Sequence, residues 1–252
     1  MIYAILGALI IGITLGLLGS GGSILTVPVL IYLLDEPEKA AIAESLAIVA
    51  AISLIAAIPY ARQKLINWRN VFWFGIPGMA GTWGGAMLAG YVSSSFQLIV
   101  FAAVMLIAAA MMFKDGIAVK KPVTIPKVQP ALIIIGEGLL VGVLTGFVGV
   151  GGGFLIVPAL VILGGLSMQS AVATSLVIIF LKSVTGFYKY LDILPQFDQS
   201  VNWKLIGIIS MVGAAGSLAG NKIGSALPQK KLKLGFAVFL ILMGFYILWM
   251  NI

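Results

Sequence analysis

Residues 16–30 read GLLGSGGSILTVPVL, and residues 146–160 read GFVGVGGGFLIVPAL. Shifting the chain by 130 residues superposes the two stretches with eight of fifteen positions identical. Each stretch closes one apolar run, passes through a glycine cluster and opens another run, 24–34 or 154–164. Those second runs are too short to cross a bilayer, since a crossing takes roughly 20 helical residues. The pattern predicts a helix that is broken, or turns back, inside the protein. The same shift pairs Ala43-Glu44-Ser45-Leu46 with Ala173-Thr174-Ser175-Leu176, and Tyr60 with Tyr190. After a five-residue insertion the shift becomes 135, pairing Asn67-Trp68 with Asn202-Trp203, and Gly78, Gly81 and Gly85 with Gly213, Gly216 and Gly220. The expectation is a single transmembrane domain over 1–252, built as two repeats, about 1–115 and 130–252, joined by a basic loop.

Composition sets the class. The 252 residues are 61% hydrophobic and 9% charged, whereas a soluble domain carries about 25% charged residues. Longer apolar runs lie at about 2–18, 40–61, 70–91, 96–113, 131–148, 168–190, 203–224 and 232–250. The fold predicted is an all-α integral membrane protein in which each half has a broken or re-entrant helical hairpin plus three spanning helices. The first run lacks a basic flank and an A-x-A-like site, so it reads as a span and not as a cleaved signal peptide. With no Cys and no His, disulfides, thiolate nucleophiles, His-containing triads and the usual zinc sites are excluded. No G-x4-G-K-[ST] pattern is present, so ATP hydrolysis would need another chain. No enzyme activity, cofactor or metal is expected.

The net charge of +7 reports topology better than a nucleic-acid partner, because the basic residues lie between apolar runs. If 2–34 and 131–164 each enter and return, one side holds 11 Lys and Arg and the other 3, with Lys182 left inside a span. If each crosses once, the count falls to 9 against 5. The positive-inside rule favours the hairpins, with both termini outside and the basic loops in the cytoplasm. An odd number of crossings per half then turns the second copy upside down relative to the first, the architecture of many secondary transporters.

The residues that could carry function follow from this layout. Glycines let the chain turn tightly and let a ligand approach the backbone. The first amides of each short helix lack intrahelical partners and sit at its positive end, which suits a small oxyanion. Candidate binding residues are Gly19, Ser20, Gly21, Gly22 and Ser23 in the first cluster, and Gly149, Val150, Gly151, Gly152 and Gly153 in the second. Ser45, Thr174 and Ser175 lie near the starts of the helices that follow, where a hydroxyl either donates to an anion or bonds back to the preceding turn. Lys182 is a charge within a span and a candidate electrostatic anchor. Residue counting puts Glu44 at a similar depth, so a Glu44–Lys182 pair is expected, with Glu44 in coupling or gating. Glu137, the other carboxylate within an apolar run, is a candidate proton carrier or a structural hydrogen-bonding group. Trp68 and Trp203 suit the membrane interface. Gly81-x3-Gly85 and Gly216-x3-Gly220-x3-Gly224 mark close helix packing, either within the chain or in a homodimer.

Gly149-Val-Gly-Gly-Gly153, Phe154-Leu-Ile-Val-Pro158 and Ala173-Thr-Ser-Leu176 resemble the second-half signature of the TauE/SafE family, the sulfite exporter or toluene-sulfonate uptake permeases. Gly19-Ser-Gly-Gly22, Val27-Pro28 and Ala43-Glu-Ser-Leu46 resemble its first-half counterpart, and the similarity runs over essentially the whole chain. The first half departs from the second at Glu44, where Thr174 would lead one to expect a small hydroxyl residue. The resemblance implies a multi-pass protein of a prokaryotic cell membrane that moves a small sulfur-containing anion, such as sulfite, thiosulfate or an organosulfonate. An anion channel or a noncatalytic membrane assembly subunit is the alternative.

Overall fold

The computed structural model describes residues 2–18, 22–117, 131–162, 165–224 and 229–251, and among them there is no strand. Helix α1 (Ile2–Leu18) leads to α2 (Gly22–Pro28), which a π-helical turn, Val29–Leu33, prolongs. Pro28 has no N–H to donate, and the helical ladder widens immediately after it. Helix α3 (Glu38–Arg62) is followed by α4 (Trp68–Asn70), a second π turn (Val71–Gly75) just ahead of Pro77, and α5 (Ile76–Ala89). Helix α6 (Ser94–Ile117) ends the first half. The second half comprises α7 (Ala131–Val148), α8 (Gly153–Ile162), α9 (Met168–Ile193), a 3-10 turn (Leu194–Phe197), α10 (Trp203–Gly224) and α11 (Gln229–Asn251).

Helix α2 folds back along α1. A methyl group on Gly7 would come within 2.6 Å of Val29 Cγ1 and 3.5 Å of Leu33 Cδ2, so the chain returns almost to where α1 begins. The first short run thus lies back against α1. Among the described residues, four helices are long and apolar enough to cross a membrane: Glu38–Arg62, Ala131–Val148, Gln169–Phe197 and Trp203–Lys222. The runs expected at 2–18, 96–113 and 232–250 carry shorter apolar cores, Ala4–Gly16, Ser94–Ile107 and Leu240–Met250. The run at 70–91 is interrupted by its π turn. Large apolar side chains such as Leu132, Met211 and Trp249 stand exposed on the outside, as a lipid-facing surface requires.

The helices pair between the halves. The most extensive contacts are α5 with α7 and α1 with α10, followed by α6 with α11 and α3 with α9. Under the sequence shifts, α1 corresponds to α7 and α10 to α5, so one pairing occurs twice. In both cases glycine makes it: in hydrocarbon the helices gain nothing from hiding apolar surface, and close packing must hold them. A methyl on Gly138, Gly142 or Gly146 would strike the backbone of Phe74, Gly78 or Thr82. A methyl on Gly12 or Gly16 would strike that of Gly213 or Ser217. These registers advance together, so each pair runs parallel. Gly81, Gly85, Gly216 and Gly220 face α7 or α1, which assigns their small-residue faces to packing within the chain.

Adjacent glycines make the test. A methyl on Gly85 would collide with the Val143 carbonyl, whereas one on Gly84 meets nothing within 4 Å. Gly85→Ala is expected to lower stability by about 1–3 kcal/mol through overpacking, while Gly84→Ala leaves it unchanged or raised. Thermal melts in detergent should separate the two variants; equal melting temperatures would contradict the backbone contact.

Candidate functional site

The second glycine cluster is built from three left-handed residues, Gly149 (φ 76°), Gly151 (φ 66°) and Gly152 (φ 68°). Side chains are excluded there twice over, by dihedral angle and by space: a Cβ on Gly149 would strike Ile42, and one on Gly152 would strike Thr145 Oγ1. Leu155 and Ile156 both donate to the Gly152 carbonyl, so the α8 ladder starts there, at the end of a helix whose first amides have no acceptor within the helix. Gly149 to Gly153, Val150 included, are buried. In the first cluster Gly19, Ser20 and Gly21 lie outside the described residues. Gly22 opens α2 and Ser23 is buried. Helices α2 and α8 touch.

The end of α7 that presents this turn is tied down by a buried network. Gln97 Nε2 donates to the Phe147 carbonyl and, at 2.7 Å, to Tyr190 Oη, which lies 3.2 Å from the carbonyls of both Gly146 and Phe147. These carbonyls belong to the last turn of α7, where the helix itself offers no donors. Gln97 Oε1 in turn accepts from Lys39 Nζ at 2.7 Å. Lys39 also donates to the carbonyls of Ala89 (2.6 Å) and Val92 (3.1 Å), completing its three donors at the end of α5. Counting by topology assigns Lys39 to an external loop; in the structure it is fully buried and serves as a helix cap.

Lys182 is different. It is also fully buried, but its Nζ has one hydrogen-bond acceptor, Thr145 Oγ1 at 3.2 Å, and lies 5.9 Å from the centroid of the Phe74 ring. Its stem rests on Gly78, with Cδ 3.0 Å from where a Cβ would stand. The shifts relate Lys182 to Ile52 and Gly78 to Gly213, and Ile52 packs on Gly213. One half thus has a cation where the other has a hydrocarbon. Thr145 Oγ1, the lysine's acceptor, is the atom beside Gly152, so the ammonium is joined to the glycine turn. The neighbouring Ser183 is fully buried with its Oγ unpaired, and a Cβ on Gly151 would lie 3.1 Å from that oxygen. Neither Thr145 nor Ser183 stands out in the sequence alone. Their signals were position: Thr145 precedes Gly149 by one helical turn, and Ser183 pairs with Ser53 under the shift of 130.

The expected Glu44–Lys182 pair does not form. Glu44 Oε1 accepts from the Asn202 N–H at 2.7 Å, and its buried Oε2 has no partner. Leu46 lies against Gly186, and Val49 and Ser183 both border Gly151, so α3 and α9 run antiparallel. In that register Glu44 is about six residues, or roughly 9 Å, along the helices from the level of Lys182. What Glu44 does is shared with Thr174, its counterpart: Thr174 Oγ1 accepts from the Asn67 N–H at 2.9 Å. Asn67 and Asn202 are themselves helix caps, accepting through Oδ1 from Asn70 and Leu205 N–H at 3.1 Å. Each half therefore satisfies the cap of the other, with a carboxyl in one case and a hydroxyl in the other. Trp68 and Trp203, just after the caps, are exposed.

Ser45 and Ser175 both bond back to the preceding turn, at 2.8 Å to the carbonyls of Ile42 and Val172. Ser45 Oγ also reaches the Gly149 carbonyl, tying α3 to the glycine turn. Glu137 is half-buried on α7, two turns or about 12 Å from Thr145, and is not brought to the turn.

A helical chain with several membrane-length apolar helices, lipid-type outer surface and a buried polar centre is a multi-pass membrane protein. Its residues 4–247 match the family described as Sulfite exporter TauE/SafE, and the chain belongs to that family of membrane transporters, which are not enzymes. It is 30% identical over 258 residues to the Bacillus subtilis protein named "Probable membrane transporter protein YunE", covering 91% of this chain and 89% of the relative. A Xylella fastidiosa "Probable membrane transporter protein" is 26% identical over 250 residues, covering 95% and 92%. The Methanocaldococcus jannaschii "Probable membrane transporter protein MJ0441" is 27% identical over 254 residues, covering 95% and 94%. No solved structure matches the chain.

The two buried lysines make opposite predictions. Lys39→Met strands its acceptors and is expected to cost about 1–3 kcal/mol. Lys182→Met removes a poorly compensated buried charge and is expected to leave the melting temperature unchanged or higher. A loss in Lys182→Met as large as in Lys39→Met would make Lys182 a structural residue.

Proposed function

We propose that this chain is a secondary transporter for a small sulfur-containing anion of the sulfite, thiosulfate or organosulfonate type. The observation that carries the reading is Lys182, a fully buried ammonium with one acceptor, joined through Thr145 to a turn of left-handed glycines. A buried charge left so incompletely compensated is costly, and an arriving anion supplies what is missing. The N-terminal end of α8, whose first amides have no acceptor within the helix, complements an oxyanion without a second charge. Family membership supports the transport class.

The mechanism proposed is alternating access between two inverted repeats forming one transmembrane domain. Equivalent helices α3 and α9 run antiparallel, which is what a two-fold axis lying across the helices produces. The glycine turn and Lys182 are buried from both sides, so loading requires the halves to move. Glu44, bound to the cap of the other half through one oxygen and unpaired at the other, is the proposed gating or coupling group. The excess of Lys and Arg in alternate loops supports a cell-membrane orientation with both termini outside.

In proteoliposomes, sulfite, thiosulfate or an organosulfonate should show saturable uptake with counterflow from the opposite side. Gly151→Val, which places a side chain at φ 66° against Val49, should reduce it to background. Flux that rises linearly with concentration and potential would indicate a channel. Failure of every sulfur anion to move would overturn the proposal.

A further inference from the structure

The charges bordering the second glycine turn can be counted. Lys182 uses one of its three N–H donors, on Thr145 Oγ1 at 3.2 Å, and two are open. Ser183, also fully buried, has an unpaired Oγ directed at Gly151, adjoining Gly152 on which Thr145 Oγ1 rests. The ammonium, the hydroxyl and the glycine amides thus border two consecutive residues. Among the described residues, the other buried ionic groups are placed elsewhere: Lys39 has all three donors satisfied beyond the end of α5, and Glu44 holds the Asn202 cap. The first half supplies no matching cation, since Ile52 occupies the position equivalent to Lys182.

We infer that this site selects a singly charged oxyanion over a dianion, with Lys182 as the counter-charge and Ser183 as a hydroxyl ligand. The inference rests on the transport reading above and narrows its substrate class. One buried positive charge exactly balanced by one negative charge leaves the loaded site neutral. A dianion would carry an uncompensated negative charge into the same low-dielectric surroundings, and uncharged amides and hydroxyls stabilise such a charge without cancelling it. Among sulfur oxyanions this favours a monosulfonate or hydrogensulfite over sulfate or thiosulfate. Ser183 gains its missing partner only when an acceptor arrives, which distinguishes it from Ser45 and Ser175, whose hydroxyls are already bonded within the protein.

The test is isothermal titration of the purified full-length protein with methanesulfonate, sulfate and thiosulfate at constant ionic strength. Methanesulfonate should bind at least ~10-fold more tightly than either dianion, a difference of about 1.4 kcal/mol. Ser183→Ala should weaken methanesulfonate binding ~3- to 10-fold with no loss of melting temperature, as expected for a single hydrogen bond. Lys182→Arg should keep the preference and Lys182→Met should abolish binding. Dianions binding as tightly as methanesulfonate, or Ser183→Ala binding like the unaltered protein, would overturn the inference while leaving the transport reading intact. The comparison of anions on the unaltered protein decides the charge preference even if a variant fails to fold. Binding of no anion at all would overturn the transport reading, and this inference with it.

Discussion

Everything in this molecule depends on backbone meeting backbone at glycine. Lipid tails are as apolar as leucine, so helices in a membrane gain no hydrophobic energy by associating; dispersion at short range and hydrogen bonds have to suffice. Gly138, Gly142 and Gly146 bring α7 onto the backbone of Phe74, Gly78 and Thr82, and Gly12 and Gly16 bring α1 onto that of Gly213 and Ser217. Because those partners belong to opposite halves, the contact that stabilises the helices also interlocks the repeats. The glycine turn inherits its place from this arrangement, since α7 delivers it and Gln97 and Tyr190 hold the helix end from which it emerges.

Near-symmetry makes the departures from it informative. Glu44 and Thr174 do the same work, each accepting the cap N–H of the opposite half. The hydroxyl leaves nothing over, whereas the carboxyl leaves a buried oxygen without a partner. Lys182 and Ile52 likewise share a packing role, each lying on a glycine of the neighbouring helix, and only the lysine adds a charge. In both cases the scaffold needs a side chain of a certain reach, and chemistry beyond that reach is confined to one copy. A symmetric scaffold can in this way hold an asymmetric centre without giving up its paired contacts.

Much of this was legible in the sequence. The shift of 130 exposed the duplication, the glycine clusters marked breaks between helices, and the short run after the first cluster lies back against α1, with Gly7 facing Val29. Partner choice was not legible. Small-residue spacing says that a helix face will be approached closely but carries no information about which helix approaches it. Burial of individual charges was equally hidden: Lys39 sits at the edge of an apolar run in a linear reading, and only the end of α5 folding over it reveals three acceptors. Depth counting failed for Glu44 and Lys182 because the register between antiparallel helices is set by contacts such as Leu46 with Gly186, and hydropathy does not report these.

The interlocking has a consequence for how the protein is made. Helix α1 is synthesised long before α10, yet the face carrying Gly12 and Gly16 finds its partner only when α10, with Gly213 and Ser217, has been made. All the helices between α1 and α10 must therefore be made before α1 can dock, and contacts between such distant parts of a chain form slowly. During that interval an unpaired glycine face stands open to lipid and to other small-residue faces. Assembly of the fold thus waits on the same few positions where a hydrogen atom takes the place of a side chain.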